Sequence, residues 1–335
     1  MDEGKAVRDG QMMNGHCLGL EIGHGATGKV YQLDEGKAVR DGQMRNGHCL
    51  RLEIGHGATG KVYQLDEGKA VKVYEIENSL PVITREQRLS RLAFEKGIPT
   101  PEPFGIMQVG ERLGSVFELV EPQNCHKAYM MYADRRNLIM ENYISLIQKV
   151  HDTVMGRGEL PDNRDIYENY LDEVSPILRP ETAAALRERI RSMREDLHLV
   201  HGDIHMLNVL YGGGDLMLID LETLSTGNRI FDLAGLFIGY RAFNINDPEN
   251  AVRFFGCDAG ILEQIYDEIL RRYLNTEDPE RIHAAEERIR LVAFIRFLYL
   301  VHVMHFGVPE VRETNISYAI EQLEKLLPVV GNLEM

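Results

Sequence analysis

Apolar and polar positions follow a strand-like pattern in the first part of the chain. Between residues 46 and 120, short apolar runs such as AVKVY at 70–74 alternate with glycine turns and with the DEG turn at 66–68. This alternation is typical of antiparallel strands. One helix is predicted in the same part, at about 83–97. The pattern therefore predicts a small antiparallel β lobe.

The chain beyond residue 121 has the pattern of packed helices. Apolar residues between Arg136 and Val154 recur with a period of about 3.6 residues. Further helices are predicted at 183–196, 232–240, 258–274, 279–306 and 311–327. We expect an α+β protein with three parts: a duplicated N-terminal extension at 1–45, an N-lobe at 46–120, and a larger, mainly helical C-lobe at 121–335.

An internal repeat fills the N-terminus. Residues 2–33 recur as 34–65 with only two changed positions, so the chain has two glycine loops. Only the second loop leads directly into the apolar run that carries Lys72. If the first loop were used, the intervening repeat would have to loop out, which would cost roughly 2 kcal/mol. We expect residues 1–45 to be dispensable, either loose or an added hairpin, and the alternative is an autoinhibitory flap or a dimer contact.

The second glycine loop, IGHGATGKV at 54–62, has the spacing G-x-G-x-x-G-x-V, and Lys72 follows ten residues after Val62. A glycine hairpin followed by a strand with an inward lysine can cover the phosphates of a nucleotide. The glycines let the backbone approach phosphate oxygens, and the lysine would neutralise them. A Walker A loop is disfavoured because Val62 replaces its Ser or Thr. A dinucleotide loop is disfavoured because a strand, not a helix, is predicted after Gly60.

A second motif, HGDIHMLN at 201–208, is followed by LIDLE at 218–222. It places Asp203 five residues before Asn208, and Asp220 at the end of a short apolar strand. Phosphoryl transfer to a hydroxyl group needs such a set. One carboxylate orients the hydroxyl and accepts its proton, while an amide and a second carboxylate hold Mg²⁺ on the phosphates. A chance Asp/Asn turn is the alternative, and the glycine loop upstream argues against it.

Together these motifs resemble those of the aminoglycoside phosphotransferase and choline-kinase-like superfamily, which are small-molecule relatives of protein kinases. HGDxHxxN at 201–208 and IDLE at 219–222 replace HRDxxxxN and DFG, and GNRIFDLA at 227–234 and GIPTP at 97–101 also fit. The resemblance covers roughly residues 46–330 and is strongest to an uncharacterised bacterial branch. It implies a two-lobed protein-kinase-like fold and ATP-dependent transfer of the γ-phosphoryl group to a small-molecule hydroxyl, as in an aminoglycoside, amino alcohol or sugar.

The resemblance assigns the chemistry to residues of the second motif. Asp203 is expected to act as the catalytic base, and Asn208 and Asp220 are expected to bind Mg²⁺. Glu222 would hold a second metal ion or only the loop, and both interpretations stay open. Asp232 is expected to bond the backbone of the catalytic loop, residues 201–208, and not to take part in the reaction.

For the nucleotide, the resemblance points to ATP. Glu86 is expected to be the ion-pair partner of Lys72, with Glu95 as the rival on the same predicted helix. The backbone of FELVE at 117–121 would bind adenine. The candidate nucleotide-binding residues are Gly55, Gly57, Gly60, Val62, Lys72, Glu86, Glu118 and Val120.

The composition restricts the classes of binding partner but does not identify the acceptor. The formal net charge of −15 disfavours nucleic acid and anionic membranes as partners and fits a soluble cytoplasmic enzyme. A cationic acceptor would also fit, although a merely solvated acidic surface is the plainer account. The C-lobe carboxylates that could face such an acceptor are Asp247, Glu249, Asp258, Glu263 and Asp267.

Cysteine and hydropathy patterns exclude further classes. The four cysteines form no CxxC pair, which disfavours a disulfide framework or a zinc site. The N-terminus lacks an apolar signal region, and residues 291–308 are too polar to cross a membrane. Two rivals remain: a protein kinase, although no APE sequence follows Asp220, and a non-catalytic nucleotide-binding or scaffold protein. The oligomeric state stays open.

Overall fold

The structure is a computed structural model, and it divides the chain into two compact units, Met1–Pro122 and Gln123–Met335. The first unit is built mainly from strands and the second mainly from helices. The residues that the structure describes are 12–13, 16–17, 20–25, 28–32, 38–40, 44–45, 48–49, 53–57, 60–66, 68–74, 80–110, 112–121, 123–212 and 214–335.

The strands of the first unit pair in an antiparallel manner. Helix α1 (Leu80–Glu95) connects the strands β10 and β11. The strands are β1 (Met12–Met13), β2 (His16–Cys17), β3 (Leu20–Gly25), β4 (Gly28–Gln32), β5 (Ala38–Arg40), β6 (Met44–Arg45), β7 (His48–Cys49), β8 (Glu53–Gly57), β9 (Gly60–Gln64), β10 (Lys69–Tyr74), β11 (Pro103–Val109) and β12 (Arg112–Glu118).

A five-stranded sheet with the order β11-β12-β10-β9-β8 carries the candidate nucleotide residues except Glu86, which lies on α1, and Val120, which follows β12. Lys72 of β10 pairs with Val62 of β9 on one side and with Ser115 of β12 on the other. Its neighbours Val71 and Val73 belong to a small apolar core. Because side chains alternate across a strand, Lys72 projects from the opposite face of the sheet.

Helix α1 begins at Leu80 and ends at Glu95, whereas the sequence predicts 83–97. Pro81 lies in the first turn, where its missing N–H would have no partner within the helix. The helix ends because Gly97 adopts a φ of 77°, and the Gly97 N–H donates to the carbonyl of Phe94. Such a left-handed glycine satisfies the last carbonyl groups of the helix.

The two copies of the repeat form separate sheets with the same register. The first copy supplies a three-stranded sheet with the order β3-β4-β5. In it Arg40 pairs with Val30, just as Lys72 pairs with Val62 in the second copy. Strand β5 ends at Arg40, whereas β10 continues beyond Lys72 to Tyr74. The copies therefore differ mainly in the chain that follows them.

The second unit is mainly helical. The segments predicted at 136–154, 183–196, 232–240, 258–274, 279–306 and 311–327 correspond to α3, α5, α6, α8, α9 and α10, with shifted ends. The helices are α2 (Cys125–Met131), α3 (Arg136–His151), α4 (Asn163–Val174), α5 (Pro180–Arg191), α6 (Ile230–Tyr240), α7 (Glu249–Phe255), α8 (Ala259–Tyr273), α9 (Pro279–His302) and α10 (Arg312–Leu326).

Three of these helices, α2, α4 and α7, are absent from the sequence-based prediction. Helices α2 and α7 have seven residues each, which is too short to show a clear helical period. Helix α4 is mostly polar, yet Tyr167, Leu171 and Val174 form one buried stripe at helical spacing. A short or polar helix carries too few apolar positions for the pattern to reveal it.

Helix α6 forms the core of the second unit and packs against α8 and α9. Ten of its eleven residues are buried, as expected of a helix that is apolar on every side. Asp232 lies in this helix and is buried with it. Among the described residues, no helix combines the length and the apolar character that a bilayer span requires.

Two short ladders position the catalytic loop. Strand β13 (Leu199–Val200) pairs with β16 (Ser225–Thr226), and β14 (Val209–Gly212) pairs with β15 (Asp215–Leu218). The loop leaves β13 and enters β14 through a 3₁₀ turn. Asp220 follows directly after β15 and Ile219. Because the Ile219 N–H donates to the Asn208 carbonyl at 2.9 Å, the two segments are joined at this point.

Candidate active site

In the first unit, a buried ion pair joins the central strand to the helix. Lys72 Nζ lies 2.7 Å from Glu86 Oε1, and the two side chains are only 15% and 5% exposed. Strand β10 directs Lys72 to one face of the sheet, and helix α1 presents Glu86 from its buried face. The rival Glu95 is exposed in the last turn of α1. The structure thus brings Lys72 together with Glu86.

The second glycine loop is a tight hairpin between β8 and β9. Gly57 pairs with Gly60, and a register shift lies between Glu53 and Gly55. A Cβ on Gly60 would lie 2.3 Å from the Val73 carbonyl oxygen, so sheet packing itself requires a glycine there. Gly55 has no neighbour within 4 Å of such a Cβ. The chain after Gly60 is a strand, which neither a Walker A loop nor a dinucleotide loop has at this place.

The predicted adenine-binding segment follows the end of β12. The Glu118 N–H donates to the Glu102 carbonyl at 2.9 Å, and the Leu119 N–H donates to the Gly68 carbonyl at 2.9 Å. The Glu118 carboxylate accepts a hydrogen bond of 3.3 Å from the Glu102 N–H. Val120 comes next and is half-buried. These bonds fix the backbone that leads into Val120.

In the second unit, the Asp203 carboxylate is held from two sides. Asn208 Nδ2 donates to the Asp203 carbonyl at 2.9 Å and to Asp203 Oδ2 at 3.1 Å. His205 Nε2 lies 3.4 Å from Asp203 Oδ1, while the Asp203 side chain stays 39% exposed. Burial alone would raise the pKa of Asp203, but the charge and hydrogen bond of His205, with Arg296, hold it well below its usual value. Asp203 is therefore an ionised, accessible acceptor.

His201 sits underneath the loop in a defined tautomer. Its Nδ1 accepts a hydrogen bond of 3.2 Å from the Asp203 N–H, so the proton lies on Nε2, which donates to the Ile219 carbonyl at 3.2 Å. Burial lowers the pKa of His201, although Asp232 and Asp203 oppose that effect. A neutral imidazole therefore joins the loop to the chain just before Asp220.

The buried Asp232 carboxylate anchors the start of the loop. Its oxygens accept hydrogen bonds from the His201 N–H at 2.9 Å, from the Gly202 N–H at 2.6 Å and from His151 Nε2 at 2.9 Å. Burial would raise the pKa of Asp232, but the hydrogen bond from His151 keeps it lowered. Asp232 thus binds loop backbone and lies beneath the surface that carries Asp203.

Other anchors of the loop come from residues that the sequence did not single out. Arg296 of α9 donates to the Gly202 carbonyl, and Thr223 donates to the His201 carbonyl at 2.7 Å. Gly202 has a φ of 86°, and a Cβ there would lie 3.0 Å from Thr223. The one sequence signal for Arg296 is that it is a charged residue within the apolar stretch 291–308. His151 was not expected to contact Asp232, and nothing in its local sequence indicates that contact.

The remaining candidate ligands lie on the turn after β15. Asp220 is exposed and adopts a left-handed backbone with φ 61° and ψ 53°. Both N–H groups of the Asn208 amide are used by Asp203, which leaves its oxygen for a cation. Glu222 follows in a 3₁₀ turn and is half-buried. An amide oxygen and a carboxylate suit Mg²⁺, which takes its other ligands from phosphates and water.

No group of three or more His, Cys, Asp or Glu side chains in the described part of the chain is arranged to hold a metal ion without other ligands. The candidate set of Asn208 and Asp220 is of a different kind, because it contains an amide and leaves most positions to a substrate. Such a set binds a metal ion together with a nucleotide.

Comparison with known proteins supports this picture. A family model described as the phosphotransferase enzyme family matches residues 51–284. No curated protein matches the chain significantly.

Several solved structures have the same fold. An apo thermostable mutant of the aminoglycoside phosphotransferase APH(4)-Ia is 14% identical, with a TM-score of 0.53 over 83% of this chain and 94% of that chain. ADP-bound aminoglycoside phosphotransferase APH(2'')-Ib is 14% identical, with a TM-score of 0.54 over 82% and 93%. A choline/ethanolamine kinase family protein from Mesorhizobium loti is 14% identical, with a TM-score of 0.51 over 83% and 89%.

These likenesses confirm the resemblance that the motifs indicate. They also confirm the fold class, a protein-kinase-like α+β fold with a small antiparallel β lobe and a larger, mainly helical lobe. At identities of 13 to 15% they show the fold and not the substrate.

Proposed function

The chain belongs to the phosphotransferase enzyme family, and on that premise we propose that it transfers the γ-phosphoryl group of ATP to a hydroxyl group of a small molecule. The observation that carries the proposal is the ionised, accessible Asp203 carboxylate, held by Asn208 and His205 on an anchored loop. A carboxylate in this position can orient a hydroxyl group and accept its proton as the new P–O bond forms.

Residues of the second unit would carry the chemical step. Asp203 accepts the proton, and Asn208, through its amide oxygen, and Asp220 hold Mg²⁺, with Glu222 as a further candidate ligand. Bound Mg²⁺ supplies charge neutralisation on the phosphates. Because the phosphoryl transition state is loose, catalysis consists mainly of positioning and electrostatics. The hydrogen bonds of Asp232 and Arg296 to the loop supply that positioning.

Residues of the first unit would bind the nucleotide. Lys72 neutralises the α- and β-phosphates, and Glu86 keeps its ammonium group in place. The backbone at Gly55, Gly57 and Gly60 contacts phosphate oxygens. Val62, two residues after Gly60, belongs to the same candidate site. The backbone from Glu118 to Val120 binds adenine. The ADP complex of APH(2'')-Ib and the AMP-PNP complex of APH(4)-Ia support nucleotide binding by this fold.

We propose that the acceptor carries amino groups as well as hydroxyl groups. Hygromycin B and gentamicin are bound by two structural neighbours, and a third is named for choline or ethanolamine. The net charge of −15 favours a cationic acceptor. Two of the carboxylates considered for this contact are already paired, Asp247 with Arg253 and Asp267 with Arg241. Glu249, Asp258 and Glu263 therefore remain the better candidates.

The proposal is tested by ADP release from Mg²⁺-ATP with a panel of aminoglycosides, amino alcohols and sugars. Asp203→Asn should lower turnover by about 10²- to 10⁴-fold, while calorimetry should find ATP affinity nearly unchanged. Wild-type turnover in this variant would contradict the role of Asp203. ATP binding without turnover of any acceptor would favour a non-catalytic nucleotide-binding protein, and phosphorylation of a protein substrate would favour a protein kinase.

A further inference from the structure

A cavity of about 400 Å³ lies in the second unit, where the C-terminal end of α8 meets the first half of α9. Its walls include Arg229, Tyr273, Thr276, Arg281 and Arg288. None of these residues has a role in the proposed phosphoryl transfer. The volume is within the usual range of small-molecule sites, about 300–1,000 Å³.

The arrangement of α9 explains why two arginines face the same space. Arg281 and Arg288 are seven residues apart, which is two helical turns, so they lie on one face of the helix. Ala284 and Ala285 stand between them and also line the cavity. Two alanines leave room where longer side chains would fill the space between the guanidinium groups.

The charged side chains that line the cavity are all arginines, and the C-terminal residue Met335 also lines it. No Asp or Glu side chain lines it, and within the described part of the chain Arg281 and Arg288 make no ion pair. Neighbouring arginines behave differently, since Arg272 pairs with Glu268 and Arg241 with Glu286. In a chain with a net charge of −15, three guanidinium groups around one cavity are an exception.

We propose that this cavity binds a small phosphate monoester. Guanidinium groups donate paired hydrogen bonds that match the oxygens of a phosphate group. A phosphate monoester carries a charge of about −1.5 to −2 at neutral pH, and three arginines can balance it. Tyr273 and Thr276 form the side of the cavity that would contact the rest of the ligand.

A chain of hydrogen bonds leads from the cavity to the catalytic loop. Arg229 and Tyr273 both line the cavity, and the Tyr273 hydroxyl group lies 2.6 Å from His151 Nδ1. His151 Nε2 lies 2.9 Å from Asp232, which accepts from the loop N–H groups of His201 and Gly202. A ligand that contacts Tyr273 in the cavity would therefore act on the anchor of the catalytic loop.

Binding is tested by isothermal titration calorimetry on the full chain saturated with ADP, so that the nucleotide site does not take up the probe. The probes are glycerol 3-phosphate, inorganic phosphate and citrate. The double variant Arg281→Gln/Arg288→Gln should lose affinity for glycerol 3-phosphate by about tenfold or more. The double variant Lys149→Gln/Arg189→Gln has the same charge change away from the cavity and should bind like the wild type.

Three results would overturn the site: no saturable binding of glycerol 3-phosphate, equal affinity in the cavity variant, or binding of citrate alone. Binding of inorganic phosphate as tight as that of glycerol 3-phosphate would overturn the monoester as the ligand class. This readout involves no turnover, so it succeeds or fails independently of the proposed phosphotransferase activity.

The connection to the loop is tested by hydrogen–deuterium exchange of residues 199–208. Glycerol 3-phosphate should slow exchange there in the wild type, because a ligand held against Tyr273 orders its contact with His151 and so stiffens the anchor. Tyr273→Phe keeps the ring and the three arginines, so the ligand should still bind but exchange should no longer respond. Equal slowing in Tyr273→Phe would overturn the connection through the hydroxyl group.

Discussion

Lys72 and Asp203 are positioned in opposite ways. Lys72 stands on a central strand and pairs with Glu86, which a regular helix presents. Asp203 stands on a loop whose backbone donates hydrogen bonds to Asp232 of α6 and accepts one from Arg296 of α9. A side chain on a strand is aimed by register, whereas a side chain on a loop must be aimed by its neighbours.

Because of this difference, the two positions should tolerate substitutions to different degrees. The strand under Lys72 is held by two ladders of backbone hydrogen bonds, so loss of the ion pair leaves the position of the strand unchanged. The catalytic loop has short ladders only at its two ends, and buried polar groups hold the rest. Changes at those groups should affect the fold more strongly than changes at Lys72, whose main effect should be on activity.

The largest effect is expected from Asp232→Asn. The amide nitrogen of asparagine would face an N–H donor, so at least one buried hydrogen bond is lost and the free energy of unfolding should fall by on the order of 3 kcal/mol. Urea unfolding measures this change. The control Asp172→Asn removes an ion pair with Arg187 at a 63% exposed carboxylate, and it should change stability by less than about 1 kcal/mol. Equal effects of the two variants would show that the buried hydrogen bonds of Asp232 do not hold the loop.

The next effect concerns Lys72→Ala. Loss of one positioned charge on the phosphates should lower kcat/KM for ATP by about 10²- to 10³-fold, and the melting temperature should fall moderately, because the buried Glu86 carboxylate loses this partner. Lys69→Ala is the matched control, because Lys69 lies on the same strand but is exposed. Steady-state kinetics with varied ATP measures both. A loss of stability as large as that of Asp232→Asn would show that the ion pair holds the sheet and the helix together.

A smaller effect is expected from the pH dependence of His205. Burial would lower the pKa of His205, but Asp203 raises it above 6.5 overall. Since the folded pKa is raised, this stabilisation is complete below about pH 6.5 and is lost as the pH rises through the folded value. Because Asp203 is 39% exposed, the effect should stay below about 1 kcal/mol.

Thermal unfolding from pH 6.5 upward measures this loss. His201 does not contribute to this decline. Its pKa is lowered in the folded protein, so its titration reduces the free energy of unfolding only below about pH 6.5. His205→Gln should remove the decline, and the surface variant His283→Gln should retain it. An unchanged decline in His205→Gln would show that another group titrates in this range.

The smallest effect is expected from removal of the first repeat. A chain that starts at Met44 keeps β8, β9 and β10, and therefore the register that places Lys72 opposite Val62. Its kcat/KM for ATP and acceptor should equal that of the full chain. Higher activity in the shortened chain would assign an inhibitory role to the first repeat, and a change in oligomeric state would assign a contact between copies.

The sequence predicts strands and helices better than it predicts the contacts that anchor the catalytic loop. The strand run at 70–74 and the helix near 83–97 are visible as periods, and the spacing of Glu86 to Gly97 favours Glu86 over Glu95. The loop motif is visible because Asp203 and Asn208 are close in sequence. The contacts of His151 and Arg296 with the loop region join positions far apart in the chain, and no local pattern specifies such contacts. Helices α2, α4 and α7 were missed for the opposite reason, since their local signal is too short or too polar.

The backbone of Asp220 sets a limit on how this protein can be made more robust. A left-handed conformation at an L-residue other than glycine costs on the order of 1 kcal/mol, and Asp220 holds that conformation with φ 61°. Glycine at this position would relieve the strain but would remove a carboxylate that we propose to be a metal ligand. Selection for heat resistance alone should therefore favour replacement at this position, whereas selection for turnover should oppose it. A consensus or directed-evolution programme on this chain should accordingly hold position 220 fixed.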